Sequence, residues 1–149
     1  MTRHTACLLA ALGLSAGCLP QEPTGIDLRL QPAGHSAVVR DLGQGQFEVR
    51  TVGEDPYVLC DKIAGGYDAQ ELRVLSFDYI CAEGLDFLEV FFVAPRSSWV
   101  NAVVPGIAPA TEWTPFSANV AAVVPEEWDG TVEQFRIDFG SGEGKTVRV

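Results

Sequence analysis

The chain has 149 residues, with 10 Lys and Arg against 20 Asp and Glu, and a formal net charge of −10. Nucleic acids and anionic membrane surfaces bind clustered basic residues, so the acidic balance argues against both as partners. At this length, a hydrophobic content of 47% suffices for the core of one domain. The composition is compatible with a surface that stays in solution or that binds cations or uncharged ligands.

The first seventeen residues have the pattern of a secretory signal. Arg3 is the only charged side chain before an apolar run from Leu8 to Leu14, and small residues follow that run. The run is much shorter than the ~20 apolar residues that a helix needs to cross a bilayer. We therefore predict that residues 1–17 are a targeting signal and not a membrane span.

The segment Leu14-Ser-Ala-Gly-Cys18 resembles the lipobox of bacterial lipoproteins, in which a cysteine is acylated and becomes the new N-terminus. The resemblance implies an exported envelope protein that is anchored at Cys18 by fatty acyl chains such as palmitate. Leu19 stands where an aspartate would signal retention in the inner membrane, so we expect the outer membrane. The alternative is an ordinary signal peptide cut after Gly17, with Cys18 incidental.

Two cysteines, Cys60 and Cys81, remain once Cys7 leaves with the signal and Cys18 carries lipid. In an oxidising compartment an even pair is more often bonded than free. We predict a Cys60–Cys81 disulfide, with two buried thiols as the alternative. A metal site is not expected, because the chain has no CxxC pair and His35 is the only histidine of the mature chain.

The rest of the chain predicts a lipidated tether over residues 18–25 and one all-β domain over residues 26–149. Short apolar stretches alternate with breaks that contain Gly, Pro or Asp, which is typical of an antiparallel sandwich or barrel. The predicted strands are Ile26–Leu30, Ser36–Arg40, Gln46–Val52, Tyr57–Ile63, Glu71–Cys81, Asp86–Val93, Trp99–Val104, Glu112–Val124, Val132–Phe139 and Lys145–Val149. No long stretch has a helical period, and Pro125–Trp128 predicts a single helical turn.

Alternation within two of these strands predicts what each face does. In Val132–Phe139 the phenylalanines and the isoleucine share one face, and Arg136 and Asp138 share the other. Asp86–Val93 is apolar on both faces, which predicts a central strand covered on both sides.

Five short sequence segments, taken in this order, resemble those of the galactose-binding-like jelly roll. This β-sandwich is used by many carbohydrate-binding modules of polysaccharide-degrading enzymes. The segments are Val74-Leu-Ser-Phe-Asp-Tyr79, Leu88-Glu-Val-Phe-Phe92, Thr111-Glu-Trp-Thr-Pro-Phe116, Trp128-Asp-Gly-Thr-Val132 and Phe135-Arg-Ile-Asp-Phe-Gly140. The resemblance covers about residues 50–149. It implies a two-sheet antiparallel sandwich, core positions for Trp113 and Trp128, and binding of a neutral carbohydrate. Such modules often hold a structural calcium with an acid in the last strand, but Lys145–Val149 has none, so no cofactor is expected.

Four side chains are candidate ligand contacts. Tyr67 and Trp99 lie in loop-like stretches, where ligands usually bind and where a flat ring can stack on a sugar. Arg136 and Asp138, from one strand face, could hydrogen-bond to sugar hydroxyls. The alternatives are ordinary half-buried loop aromatics and an ion pair, such as Arg136 with Asp78, that only orders the sheet.

No catalytic residues are assigned, because His35 lies beside Gly34 and Ser36 without any nucleophile-elbow pattern in the chain. Two functions remain. One is an envelope lipoprotein with a non-catalytic module that binds neutral carbohydrate. The other is a structural or interaction lipoprotein that contacts another envelope protein. An exposed Trp99 or Tyr67 beside the Arg136 and Asp138 pair would favour the first, whereas buried rings under a smooth polar face would favour the second.

Overall fold

The computed structural model describes residues 25–93 and 99–149, and its regular structure is almost entirely antiparallel strand. The strands are β1 (Leu30–His35), β2 (Ala37–Gly43), β3 (Gln46–Thr51), β4 (Tyr57–Cys60), β5 (Tyr67–Asp68), β6 (Val74–Cys81), β7 (Phe87–Val93), β8 (Trp99–Pro105), β9 (Ala110–Asn119), β10 (Thr131–Val132), β11 (Phe135–Asp138) and β12 (Thr146–Arg148). Short 3-10 turns cover Ala69–Glu71 and Val120–Ala122. The predicted signal, Cys18 and residues 18–24 of the tether lie outside the described residues and stay predictions.

Two five-stranded layers form a β-sandwich, which confirms the predicted fold class. The first layer has the strand order β8-β7-β11-β4-β1, and the second has the order β2-β3-β12-β6-β9. Neighbouring strands within each layer are antiparallel. Because β1 pairs with both β4 and β2, the chain passes from one layer to the other at this corner. Strands β5 and β10 make a separate two-stranded ribbon.

The prediction for the corner strand was wrong. The predicted strand Ile26–Leu30 is largely outside the ladder, and β1 instead runs through Pro32 and Gly34. The pairing of β1 with β4 shifts register between Leu30 and Gly34, and such an irregularity tolerates a proline. A Cβ at Gly34 would collide with the carbonyl oxygen of Tyr57, so the close approach of β1 to β4 requires glycine.

The core lies between the layers and takes alternate residues from each strand. In β7 the inward residues Leu88, Val90 and Phe92 are all buried, and the inward residues of β11 are buried as well. This confirms the predicted alternation in β11. The prediction for β7 was wrong, because its second face is open and carries the half-buried Phe91.

The two tryptophans that were predicted to lie in the core differ in burial. Trp128 is fully buried, its ring meets Phe92 edge-on at 4.9 Å, and its indole N–H donates to the carbonyl oxygens of Ala69 and Leu72. Trp113 is 46% exposed, so its predicted core position was wrong. The reason is that Trp113 shares the outward face of β9 with the exposed residues Pro115, Ser117 and Asn119, whereas Thr114, Phe116 and Ala118 form the half-buried face.

The structure does not support the predicted disulfide. Cys60 and Cys81 are both free and buried. Cys60 belongs to β4 in the first layer and Cys81 to β6 in the second, so their strands are not neighbours in either layer. Burial, reinforced by the charge of Asp61, raises the pKa of Cys60 to about 12. Burial also raises the pKa of Cys81, so both thiols remain protonated at neutral pH.

Asp86 fixes the loop that follows β11. Its carboxylate accepts hydrogen bonds from the hydroxyl (2.5 Å) and the backbone N–H (3.1 Å) of Ser141 and from Lys145 Nζ (3.1 Å). These bonds, the Ser141 hydroxyl first, hold the pKa of Asp86 well below its usual range. Gly140 has a φ of +71°, and a Cβ there would meet the Asp86 carboxylate, so the end of β11 is held in one place.

Within residues 25–93 and 99–149, no helix has the length and hydropathy that a membrane span requires.

Candidate functional site

The outer face of the first layer carries one planar side chain from each of its five strands. They are His35 from β1, Tyr57 from β4, Arg136 from β11, Phe91 from β7 and Trp99 from β8. We call these five side chains the planar strip. Since neighbouring strands lie about 4.8 Å apart, the planar strip crosses roughly 19 Å of the sheet.

Each member of the planar strip contacts the next. The His35 and Tyr57 rings stack with centroids 5.1 Å apart and planes at 20°. The guanidinium carbon of Arg136 lies 3.7 Å from the Tyr57 centroid and 4.6 Å from the Phe91 centroid, which places a cation against two ring faces. Phe91 in turn meets Trp99 edge-on at 6.0 Å. Trp99 is 52% exposed, so much of its ring is open to solvent.

The strand register explains why these side chains meet. Arg136 is opposite Phe91 on one side and Leu59 on the other, and Tyr57 is opposite Asp138. Because side chains alternate along a strand, the neighbours of Arg136 in sequence point into the core while Arg136 points outward. The planar strip is therefore assembled from cross-strand and diagonal neighbours.

Asp138 holds the arginine in place. Arg136 donates from Nε to one carboxylate oxygen of Asp138 (2.7 Å) and from Nη2 to the other (2.6 Å). Arg136 Nη2 also donates to Asp55 at 3.2 Å. This two-point hydrogen bond fixes the plane of the guanidinium against the two rings.

Asp138 is only 4% exposed, and this burial sets its electrostatics. Burial raises the pKa of Asp138, and the opposing effect of the Arg136 charge does not fully cancel it. Burial alone would lower the pKa of Arg136, but its hydrogen bonds to Asp138 raise it overall. At neutral pH the pair is therefore a partly buried salt bridge with the arginine charged.

Further polar groups flank the planar strip. Asn101 Nδ2 donates to Glu89 Oε1 at 2.5 Å, and Glu89 is opposite Asp138 across the β7–β11 pair. Among the residues that the structure describes, this face holds three carboxylates, Asp55, Glu89 and Asp138, around the cation of Arg136. An anionic ligand would meet net repulsion here, whereas an uncharged ligand would not.

Three of the four side chains that were predicted to contact a ligand lie together on this face. Trp99, Arg136 and Asp138 belong to it, but Tyr67 does not. Tyr67 is half-buried in β5 and lines a small polar recess with Gly65, Gly66 and the loop at 129–131. The suggested pairing of Arg136 with Asp78 was wrong, because Asp78 lies in β6 of the second layer.

Sequence reasoning missed His35, Tyr57, Phe91, Glu89 and Asn101. A signal existed for Phe91, because it lies on the second apolar face of β7, but that face was interpreted as buried. The sequence contained no such signal for His35 and Tyr57. Their place in the planar strip depends on the strand order β11-β4-β1.

A large cavity in the described part of the chain lies elsewhere, between the two layers. It has a volume of about 770 Å³ and opens beside residues 25–30. Its deep walls are aliphatic and phenyl groups of the core, such as Phe47, Phe77 and Phe135. Sugar recognition needs exposed ring faces together with hydrogen-bonding groups, and it is the planar strip that combines them, so we assign the candidate site there.

Across residues 25–93 and 99–149, no group of three or more His, Cys, Asp or Glu side chains could hold a metal ion.

No protein-family model matches the chain, and no curated protein matches it in sequence. Solved structures do match its fold. A family 29 carbohydrate-binding module, a lysine-to-alanine variant complexed with cellulohexaose, gives a TM-score of 0.56 at 12% identity over 82% of this chain and 75% of that one. An arginine-to-alanine variant of the same module gives 0.54 at 12% identity, over 82% and 76%. A low-affinity xylan-binding module from Roseburia intestinalis gives 0.49 at 15%, over 82% and 83%. The two family 29 structures show that this chain has the β-sandwich fold of a carbohydrate-binding module.

Proposed function

We propose that the chain is a lipid-anchored protein of the bacterial envelope whose sandwich binds a neutral carbohydrate chain without catalysing a reaction. The observation that carries this proposal is the planar strip, which joins flat side chains from all five strands of one layer and sets them beside fixed hydrogen-bonding groups. The sugar would lie on the open face of the first layer, across its strands.

The chemistry of a pyranose suits this surface. A sugar ring presents C–H groups on its faces and hydroxyls around its rim. The C–H face can pack on the open ring of Trp99, which releases water from both surfaces. The rim hydroxyls can reach Asn101 and Glu89, which lie outward on the neighbouring strands. A strip of roughly 19 Å has room for several consecutive sugar units.

The charges narrow the ligand class. In the described part of the face, three carboxylates surround Arg136, so we expect uronates and sulfated glycans to be repelled. Binding of a neutral glycan carries no such electrostatic repulsion. A shallow face also buries little area, and its hydrogen bonds largely exchange with those of water, so we expect weak binding to each short chain.

Known modules of this fold support the proposal. The variants of the family 29 module that probe ligand recognition alter, among other residues, a tyrosine, an arginine and an aspartate. The planar strip and its partner contain these residue types as Tyr57, Arg136 and Asp138. With 12% identity, the likeness in fold does not itself transfer the ligand.

The arrangement of the acids supports a binding role over hydrolysis. A glycosidase needs two carboxyl groups on either side of the scissile bond, one of them free to donate a proton and the other to act as base or nucleophile. On this face the Asp138 carboxylate is buried in its pair with Arg136, and Glu89 is hydrogen-bonded to Asn101. Asp138 is therefore not presented to a substrate as a free acid or nucleophile, and Glu89 has no second free carboxyl group in this pair to act with it.

The direct test is calorimetry and a glycan array on the full chain carrying Cys18→Ser, which keeps the protein free of lipid. We expect weak, saturable binding to neutral linear oligosaccharides and none to polyuronates or sulfated glycans. If a folded sample binds no member of a broad neutral set, the sugar-binding proposal fails. The structural or protein-interaction function then becomes the better one.

The lipid anchor is tested separately. Wild-type protein is expected to incorporate labelled fatty acid and to sediment with membranes, whereas Cys18→Ser should appear in the soluble exported fraction. The reason is that Cys18 is the only cysteine in the predicted lipobox, and the lipid is attached to the cysteine of that motif. Cys7→Ser serves as the matched control and should leave labelling unchanged. A wild-type protein without label, with a variant that still sediments, would contradict the anchor.

A further inference from the structure

The two edge strands of the sandwich differ in how they are protected. β8 ends the first layer and β9 ends the second. An edge strand has free backbone N–H and C=O groups that can pair with another strand, and proteins usually block such edges with charges or proline. β9 contains Glu112 and Pro115 within its length. β8 reads Trp-Val-Asn-Ala-Val-Val-Pro, with no charged residue and with proline only at its end.

Nothing in the described part of the chain pairs with the outer edge of β8. Its ladder partner is β7 alone, in register from Val93 opposite Trp99 to Phe87 opposite Pro105. The turn Val120–Ala122 comes near β8, but its backbone bonds go to Arg73 and within the turn itself. Half of the backbone groups of a seven-residue strand therefore remain available on this side.

We propose that β8 pairs antiparallel with β8 of a second copy of this chain, about a two-fold axis at Ala102. In that register Val100 faces Val104, Asn101 faces Val103, and Trp99 faces Pro105 of the second copy. Residues 100, 102 and 104 are buried in the single chain, and each meets another buried position across the axis. The register therefore keeps core side chains inward and exposed side chains outward in both copies.

The composition of β8 favours a second copy as the occupant. The two chains repel each other at long range because each carries a net charge of −10, but salt screens this beyond about 8 Å. β8 contains no charged residue, so no like charges would face each other across the axis. Val103 is 50% exposed and Trp99 is 52% exposed, and both gain apolar neighbours in the pair.

The pairing would give the molecule two sugar-binding faces on one side of a ten-stranded sheet. This consequence rests on the proposed function, but the pairing itself does not. Two linked sites bind a polymer with higher apparent affinity than one site, whereas each short oligosaccharide still meets a single site.

The oligomeric state of the full chain carrying Cys18→Ser tests the pairing, by light scattering after size exclusion over a range of concentrations. We expect a dimer that dissociates on dilution. Val103→Lys and Val103→Asp should each weaken it by about fivefold, because like charges then lie diagonally across the axis. An equimolar mixture of the two variants should restore dimers through opposite charges. Val38→Lys is the matched control, since Val38 is 48% exposed on the outer face of the second layer.

A chain that stays monomeric at every concentration would overturn the proposal, and so would a Val103→Lys dimer as strong as that of the wild type. Failure of the mixed variants to associate would also contradict it. The sugar-binding consequence has its own readout. Wild-type protein diluted until it is monomeric should lose affinity for an insoluble neutral polysaccharide, while its binding of a short oligosaccharide is unchanged. If neither ligand binds to any form, the proposed function fails, but the dimer measurement still decides the pairing.

Discussion

Trp99→Ala is expected to lower the affinity for neutral glycans by about tenfold or more, with little change in melting temperature. Trp99 is 52% exposed and lies at the end of the planar strip, so its removal leaves no cavity in the core. Stacking a sugar ring on the indole would remove on the order of 70 Å² of apolar surface from water, worth roughly 1.8 kcal/mol at ~25 cal/mol per Å². That free energy corresponds to about a twentyfold change in Kd. Calorimetry with a neutral oligosaccharide measures it.

Trp113→Ala supplies the matched control for this measurement. Trp113 is also an exposed tryptophan, 46% accessible, but it lies on β9 in the second layer. Its removal should leave glycan affinity unchanged. Equal losses in the two variants would mean that the ligand does not bind on the planar strip. An unchanged affinity in Trp99→Ala would remove the stacking argument altogether.

Trp113 also shows what the local sequence can predict about the face on which a side chain lies. Alternation along a strand correctly put Arg136 and Asp138 on one face, because that depends only on the period of two residues. The core prediction for Trp113 rested instead on the family resemblance. The period of two residues places Trp113 with the exposed Pro115, opposite the half-buried Phe116, and this local rule was the better guide.

Contacts between residues on neighbouring strands are harder to predict than the face of a strand on which a residue lies. Arg136 meets Tyr57 and Phe91 because β11 lies between β4 and β7, and not beside β6 with Asp78. Tyr57 is distant from Arg136 in sequence, and nothing local links the two. The apolar second face of β7 was interpreted as burial, but in the fold it supplies the ring under the arginine. The predicted disulfide was also a prediction about partners on different strands, and the structure instead has free thiols at Cys60 in β4 and Cys81 in β6.

Arg136→Ala is expected to destabilise the fold by about 3 kcal/mol at neutral pH, because it removes the partner of a buried carboxylate. The Asp138 side chain is 5% exposed and that of Arg136 is 18% exposed. Breaking a buried pair typically costs 3–5 kcal/mol, and we take the lower end because Arg136 still reaches solvent. For a domain of this size the loss corresponds to a fall in Tm of roughly 6–12 °C. Thermal unfolding of the two proteins measures it.

The double variant Arg136→Met with Asp138→Leu separates the lost charge from the lost packing. Replacing both members of a buried ion pair by apolar residues of similar volume is often neutral or stabilising. We therefore expect the double variant to recover most of the Tm that Arg136→Ala loses. If it is no more stable than Arg136→Ala, the loss comes from packing of the arginine stem between Tyr57 and Phe91, and the buried charge is not the cause.

The pH dependence of the same loss provides an independent test. Burial already raises the pKa of Asp138, and without Arg136 the opposing effect disappears, so the pKa rises further. A carboxyl whose pKa is higher in the folded state than in the unfolded chain, where it is about 3.9, binds its proton more tightly in the folded state. Its penalty is absent below the unfolded pKa and grows as the pH rises through the folded pKa. The difference in Tm between Arg136→Ala and wild type should therefore be small near pH 4 and large near pH 7. A difference that is constant over this range would show that Asp138 is not a buried charge held by Arg136.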